Sequence, residues 1–190
     1  NASENELSGF YLYDHEKLHR TLIHNELLKM PTLLIGVTYA LLDFAEKYPM
    51  QLRHTIVMET GGMKGRREEM TRQEVHALLQ EKLSVSLVHS EYGMTELLSQ
   101  AYSKGDGIFH CPGWMKVLIR EEDDPLHISK AALVIEKPLT GAINIIDLAN
   151  IYSCGFIATD DVGRLHGNES FEVLGRLDSS DIRGCSLMAL

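Results

Sequence analysis

Apolar and polar positions along this chain change their period about halfway. Up to Leu98, helix-like and strand-like patterns alternate. Glu16 to Leu28 carries Leu18, Leu22 and Leu28 at near-helical spacing, Thr32 to Ile35 reads as a short strand, and Val37 to Tyr48 is helical again. The run Thr55-Ile56-Val57-Met58 predicts a buried strand, Thr71 to Leu83 a helix, and Val85-Ser86-Leu87-Val88 a further strand, with an apolar helical pattern expected after Glu96. The helix at Thr71 opens on a capping box: Thr71 supplies the N-cap oxygen, and Glu74 reaches back to the N-cap amide. Such alternation predicts an α/β fold with βαβ units on a mostly parallel sheet. After Gly105 only short strands are expected: Trp114 to Ile119, Ala131 to Glu136, Gly141 to Ile146, Gly155 to Thr159 and Phe171 to Leu174. Glu121 to Pro125 is a charged turn between the first two, and the whole predicts a small antiparallel meander or barrel. The expected division is an α/β subdomain over 1–104, a β-rich subdomain over 105–175, and a hinge with a C-terminal tail over 176–190.

Composition narrows the classes. With 190 residues, 44% of them hydrophobic, the chain can bury a sizeable core. A net charge of −9 with only 18 Lys and Arg argues against nucleic-acid binding, which draws most of its affinity from basic patches. No apolar run approaches the ~20 residues of a membrane-spanning helix. The cysteines, Cys111, Cys154 and Cys185, are sparse and odd in number, which argues for a reducing cytoplasm over a secreted disulfide framework.

Candidate chemistry sits at the ends of the predicted strands. Val85 to Val88 leads into Glu91-Tyr92-Gly93-Met94-Thr95-Glu96, which places a ring, a close-approach backbone, a hydroxyl and a carboxylate within a few residues. Gly155 to Ala158 delivers Thr159-Asp160-Asp161, a carboxylate pair able to accept the hydroxyls of a ribose. Phe171 to Leu174 ends in Gly175-Arg176-Leu177-Asp178. Upstream, Thr55 to Met58 leads into Glu59-Thr60-Gly61-Gly62-Met63-Lys64-Gly65, whose paired glycines let backbone approach a flat ligand.

In this order and spacing the motifs resemble the adenylate-forming superfamily of acyl-activating enzymes: a glycine pair, then Tyr-Gly-x-Thr-Glu, Thr-x-Asp and Gly-Arg-x-Asp. Within it the chain resembles the acyl-protein synthetase (LuxE, long-chain-fatty-acid ligase) family of bacterial bioluminescence. That likeness is carried by residues 60–65, by His110-Cys111-Pro112-Gly113-Trp114-Met115-Lys116-Val117, by Ile157 to Asp161 and by Ile182-Arg183-Gly184-Cys185. The resemblance implies the C-terminal half of an adenylate-forming core that uses ATP and Mg2+. It implies that Tyr92 stacks on adenine, Gly61, Gly62 and Gly93 lie against the nucleotide, Thr95 meets the α-phosphate and Glu96 holds the magnesium. It further implies that Asp161 binds the ribose, with Asp160 where the superfamily has glycine, that Arg176 contacts ribose or phosphate, and that Asp178 is a hinge. Plainer readings stand beside these: Tyr92 as a core aromatic, the glycines as an ordinary turn, Glu96 as a helix-dipole partner.

Cys185 near the C-terminus resembles the family's acyl acceptor. An acyl adenylate is a mixed anhydride, and a thiolate attacking it yields a thioester and releases AMP; the alternative is an inert tail thiol. The expected function is activation of a long-chain fatty acid and its transfer to Cys185, with an acyl-reductase-type protein as partner. The superfamily's Ser/Thr/Gly-rich phosphate loop and lid lysine have no counterpart in these residues, so the chain reads as part of a larger enzyme and inactive by itself. A phenylacetate-type aryl- or acyl-CoA ligase and a non-catalytic nucleotide- or acyl-binding module are the rival readings. His110, Cys111 and Cys154 lack zinc-site spacing and read as having two buried core thiols among them.

Overall fold

The structure is a computed structural model that describes residues 7–63, 65–68, 70–122, 124, 126–129 and 138–177. In chain order the elements described are α1 (His15–Leu27), β1 (Thr32–Val37), α2 (Thr38–Lys47), β2 (Thr55–Thr60), α3 (Arg72–Leu83), β3 (Val88–Tyr92), β4 (Ala101–Ser103), β5 (Phe109–His110), β6 (Met115–Arg120), β7 (Leu139–Asp147), β8 (Phe156–Leu165) and β9 (Phe171–Arg176), with a 3-10 turn over Leu148–Asn150. Two helices start as their sequences dictate. Asp14 caps α1 by accepting from the Lys17 amide at 3.0 Å. At α3, Glu74 Oε2 accepts from the Thr71 amide at 2.8 Å while the Glu74 amide donates to Thr71 Oγ1 at 3.3 Å.

Among the described residues the strands form one nine-stranded sheet in the order β1-β2-β3-β4-β5-β9-β8-β7-β6. The α/β class is as expected, with a difference of degree: β1, β2 and β3 pair in parallel, and every later pairing is antiparallel. Of the expected meander or barrel, the meander is found: β6 to β9 pair antiparallel in succession and continue the same sheet, joined to it where Phe109 of β5 pairs with Phe171 of β9.

Two expectations shift and a third goes untested. The strand predicted at Val85 starts at Val88, because Ser84 ends α3 in a left-handed turn (φ 51°) and the next residues are spent returning to the sheet. Tyr92 thus lies within the strand and not beyond it. The helix expected after Glu96 does not form: Asp147 Oδ2 takes the Leu98 and Ser99 amides, at 3.0 and 2.9 Å, which a helix would have directed to its own carbonyls. The strand predicted over Ala131 to Glu136 lies outside the described residues.

Two cores result. α2, α3 and the inner face of β1 to β3 enclose Leu42, Phe44, Val57, Leu79 and Val88, and the antiparallel part encloses Tyr92, Phe109, Val117, Ile143 and Phe171. The opposite face of the parallel strands is apolar but exposed at Leu33, Ile35 and Ile56, so β2 alternates where a fully buried strand was expected. Among the described residues no helix is long and apolar enough to cross a membrane.

Candidate functional site

Asp161 owes its setting to an irregularity in β8. Ala142 of β7 pairs with Val162 and Asn144 with Ala158, so three residues of β8, Thr159 to Asp161, face the single residue Ile143. Bulges of this sort re-aim side chains. Thr159 Oγ1 donates to the Ile143 carbonyl at 2.9 Å and accepts from the Asp161 amide at 3.1 Å. Arg120, itself buried, anchors the same stretch by donating from Nη2 to the Thr159 carbonyl at 2.9 Å. Alternation then turns Asp160 to solvent and Asp161 inward, where it is 3% exposed.

Among the described residues two side chains meet Asp161 from other strands, Tyr92 from β3 and Arg176 from the adjacent β9. The Tyr92 hydroxyl donates to Oδ2 at 2.8 Å. Arg176 Nη1 stands 3.6 Å from Oδ1, and its Nη2 donates to Asp160 Oδ2 at 3.2 Å. Oδ1 is buried and, among the described residues, has no hydrogen bond. Burial pushes the Asp161 carboxyl above the ordinary value, against the opposing pull of the Tyr92 hydrogen bond and Arg176, while Asp160 adds to the rise. The Tyr92 ring, expected to stack on adenine, is 4% exposed and packs against Phe109 and Phe171.

The glycine pair lies at the C-terminal end of the neighbouring parallel strand. Thr60 pairs with Glu91, the residue before Tyr92, and donates from Oγ1 to its carboxylate at 3.2 Å. Gly61 has φ +74°, a conformation that favours glycine, while Gly62 is buried. Beneath this turn runs a polar cluster the sequence analysis did not single out. The Thr38 hydroxyl sits 2.9 Å from Glu59 Oε2 and 3.0 Å from the Gly61 carbonyl; His76 Nε2 lies 3.6 Å from Glu59 Oε1 and 3.2 Å from Ser90 Oγ. All four residues are buried. Serine and carboxylate share one ring nitrogen, so this is no nucleophilic triad, in which each would hold a different nitrogen; it is the footing of the Gly61 turn. Polar residues at inward positions of otherwise apolar elements were the available signal.

Gly93 follows β3, and a Cβ there would meet Gln100 Cγ at 3.0 Å. Thr95 and Glu96 are exposed and line a cleft of about 470 Å³ with Leu98, Cys154, Phe156, Ile157 and Ala158. The cleft is built by Asp147 and Asn150. Asp147 Oδ1 accepts from the Ser99 hydroxyl at 2.7 Å and the Ala149 amide at 3.1 Å, and Asn150 Nδ2 donates to the carbonyls of Glu96 and Cys154 at 2.8 and 3.0 Å. Burial works to raise the Asp147 carboxyl, but its donors outweigh it and hold the group below the ordinary range. Both oxygens of Asp147 are thus spent on structure, whereas the Glu96 side chain is exposed on the cleft. Among the described residues no cluster of three His, Cys, Asp or Glu could hold a metal by itself.

The thiols differ from expectation. Cys154 is exposed in the cleft, not buried, because the turn Leu148–Asn150 carries it to the surface. Cys111 is half-buried, and burial with the nearby Glu169 pushes its thiol up to about 11. It is a poor nucleophile near neutral pH. Cys185 and Asp178 lie outside the described residues.

No protein-family model and no curated protein matches this sequence. Solved structures do match in fold. ATP-bound MatB from Rhodopseudomonas palustris superposes with a TM-score of 0.59 at 16% identity, over 88% of this chain and 34% of that one. The amide bond synthetase McbA from Marinactinospora thermotolerans gives 0.60 at 14%, over 88% and 35%. The O-succinylbenzoate coenzyme A synthetase MenE from Bacillus subtilis, in complex with AMP, gives 0.53 at 19%, over 85% and 43%. The shared fold bears out the expected architecture, and this chain spans a third to less than half of the length of these proteins.

Proposed function

We propose that this chain is the nucleotide-facing part of an ATP-dependent, adenylate-forming acyl-activating enzyme. One observation carries the reading: a buried carboxylate oxygen without a hydrogen bond, Asp161 Oδ1, faces Arg176 next to the C-terminal ends of parallel strands carrying Gly61 and Tyr92. Open α/β sheets bind ligands outside the carboxyl ends of their strands. ATP and AMP in the similar MatB and MenE structures support the nucleotide class.

In this reading Asp161 accepts a ribose hydroxyl and Arg176 holds ribose or phosphate. Gly61 and Gly62 form a backbone wall for the base, and Gly93 lets the chain pass close to it. Thr95 donates to the α-phosphate, and Glu96 holds Mg2+, which when bound neutralises phosphate charge. The substrate carboxylate attacks the α-phosphorus, the acyl–phosphate bond forms, and the bond to pyrophosphate breaks. The Cys185 thiolate then attacks the acyl carbon, and AMP leaves with the electron pair of the anhydride bond.

We assign a long-chain fatty acid as substrate and an acyl-reductase-type protein as the next acceptor, in a reducing cytoplasm. The family-like strings at 60–65, 110–117 and 182–185 support this, as does the apolar wall of the cleft at Leu98, Phe156, Ile157 and Ala158. The test uses the enzyme carrying this chain, radiolabelled fatty acid and ATP. Hydroxylamine-sensitive label should appear on the protein and vanish in Cys185→Ser, while acyl-AMP still forms. Label absent from the wild type, with acyl-CoA made once coenzyme A is added, favours a coenzyme A ligase instead.

A further inference from the structure

Tyr92 is built to act through its hydroxyl. Its ring meets Phe109 edge-on, with centroids 6.0 Å apart at 60°, and Phe171 at 5.4 Å and 80°, while those two rings stack on each other at 5.5 Å. A ring enclosed this way has little free face for a base. Aromatic packing instead fixes where its oxygen stands, and that oxygen donates to Asp161 Oδ2 at 2.8 Å. Tyrosine buried in an apolar cluster keeps its hydroxyl only where a partner satisfies it, and here the partner is the buried carboxylate.

The two oxygens of Asp161 are therefore unequal. Oδ2 is occupied by Tyr92; Oδ1 has no hydrogen bond and faces Arg176 Nη1 at 3.6 Å. We propose that Tyr92 is a positioning residue of the nucleotide site: its hydroxyl locks Asp161 in one rotamer and presents Oδ1 alone to a ribose hydroxyl. The proposal rests on the nucleotide reading above. It replaces a stacking role for Tyr92 with control over the carboxylate's orientation and ionisation.

The charged and titratable groups around Asp161 are Tyr92 from β3, Arg176 from β9 and Asp160 beside it. The Tyr92 hydrogen bond and Arg176 both favour the carboxylate, against burial and Asp160. Removing the hydroxyl takes away a donor to the charged form, so the Asp161 titration must move up. A protonated Asp161 would also offer a proton where the ribose needs an acceptor.

Tyr92→Phe separates the two roles, because it keeps the ring and loses only the hydroxyl. Carboxyl-carbon NMR of the full 190-residue chain should show the Asp161 midpoint rising by at least about half a pH unit in Tyr92→Phe. In the enzyme carrying this chain, affinity for AMP should fall at least about fivefold, and further as pH drops towards the new midpoint. Val173→Ala, which loosens the same core and leaves the hydroxyl in place, should leave the midpoint unmoved. An unchanged midpoint in Tyr92→Phe overturns the proposal, as does an equal shift in Val173→Ala, which would reduce Tyr92 to packing. AMP binding retained in full by Tyr92→Phe returns the residue to a ring-based role. No AMP binding by the wild type overturns the nucleotide reading itself, and the ribose role with it.

Discussion

Asp161 works against the fold that holds it. Its carboxyl is buried, its Oδ1 lacks a hydrogen bond, and its proton is held more tightly in the folded chain than at the ordinary value of 3.8. A carboxyl with a raised folded pKa costs stability once ionised: the penalty is full above the folded pKa and disappears as pH falls to the unfolded value. Asp161→Asn, which cannot ionise, should therefore stabilise the chain near neutral pH, with Tyr92 donating to the amide oxygen. Urea unfolding at pH 7 and below pH 3.8 checks this: the gain should be present at the first and absent at the second. A variant less stable than the wild type at neutral pH would mean that Asp161 serves the fold. Sequence showed two adjacent carboxylates and favoured Asp161 only through a family pattern that Asp160 breaks. What distinguishes them physically is alternation within the bulge, which turns Asp160 out and Asp161 in.

At the scale of elements, local chemistry was legible and long-range chemistry was not. The capping box at Thr71 and the strand opening at Thr55 depend on neighbours within a few residues, and both start where the pattern places them, although β2 runs on to Thr60 and alternates where a buried strand was expected. The helix expected after Glu96 fails because its amides are claimed by Asp147, 49 positions away from Leu98. The short strands β4 and β5 went unseen for a similar reason: two or three residues carry no period, and their pairing with β3 and β9 alone defines them. Asp147 is consequently a structural keystone for the Thr95–Glu96 loop. Asp147→Asn keeps one acceptor oxygen in place of two that take four donors, and should cost at least about 2 kcal/mol at neutral pH. Because the folded carboxyl is held below its ordinary value of 3.8, its contribution is complete above that pH and lost as pH falls through the folded pKa. Thermal unfolding should show a gap between wild type and variant that narrows in acid. A gap independent of pH would assign the loss to packing.

For the whole molecule, the order of motifs along the chain was readable, and their convergence was a property of the sheet. Tyr92 and Asp161 stand 69 positions apart and touch. They do so where parallel pairing gives way to antiparallel pairing, the same zone that carries the Gly61 turn. Thr38, Glu59, His76 and Ser90 form a buried network under that turn from four separate elements, a convergence no local pattern encodes. Nucleotide binding reads these residues more directly than turnover does. The most direct measurement compares AMP with 2′,3′-dideoxy-AMP by calorimetric titration of the enzyme carrying this chain. If Asp161 grips the ribose, AMP binds at least about tenfold more tightly, the loss of one charge-assisted hydrogen bond being worth about 1.5–3 kcal/mol. Equal affinities for the two nucleotides would contradict a ribose site at Asp161.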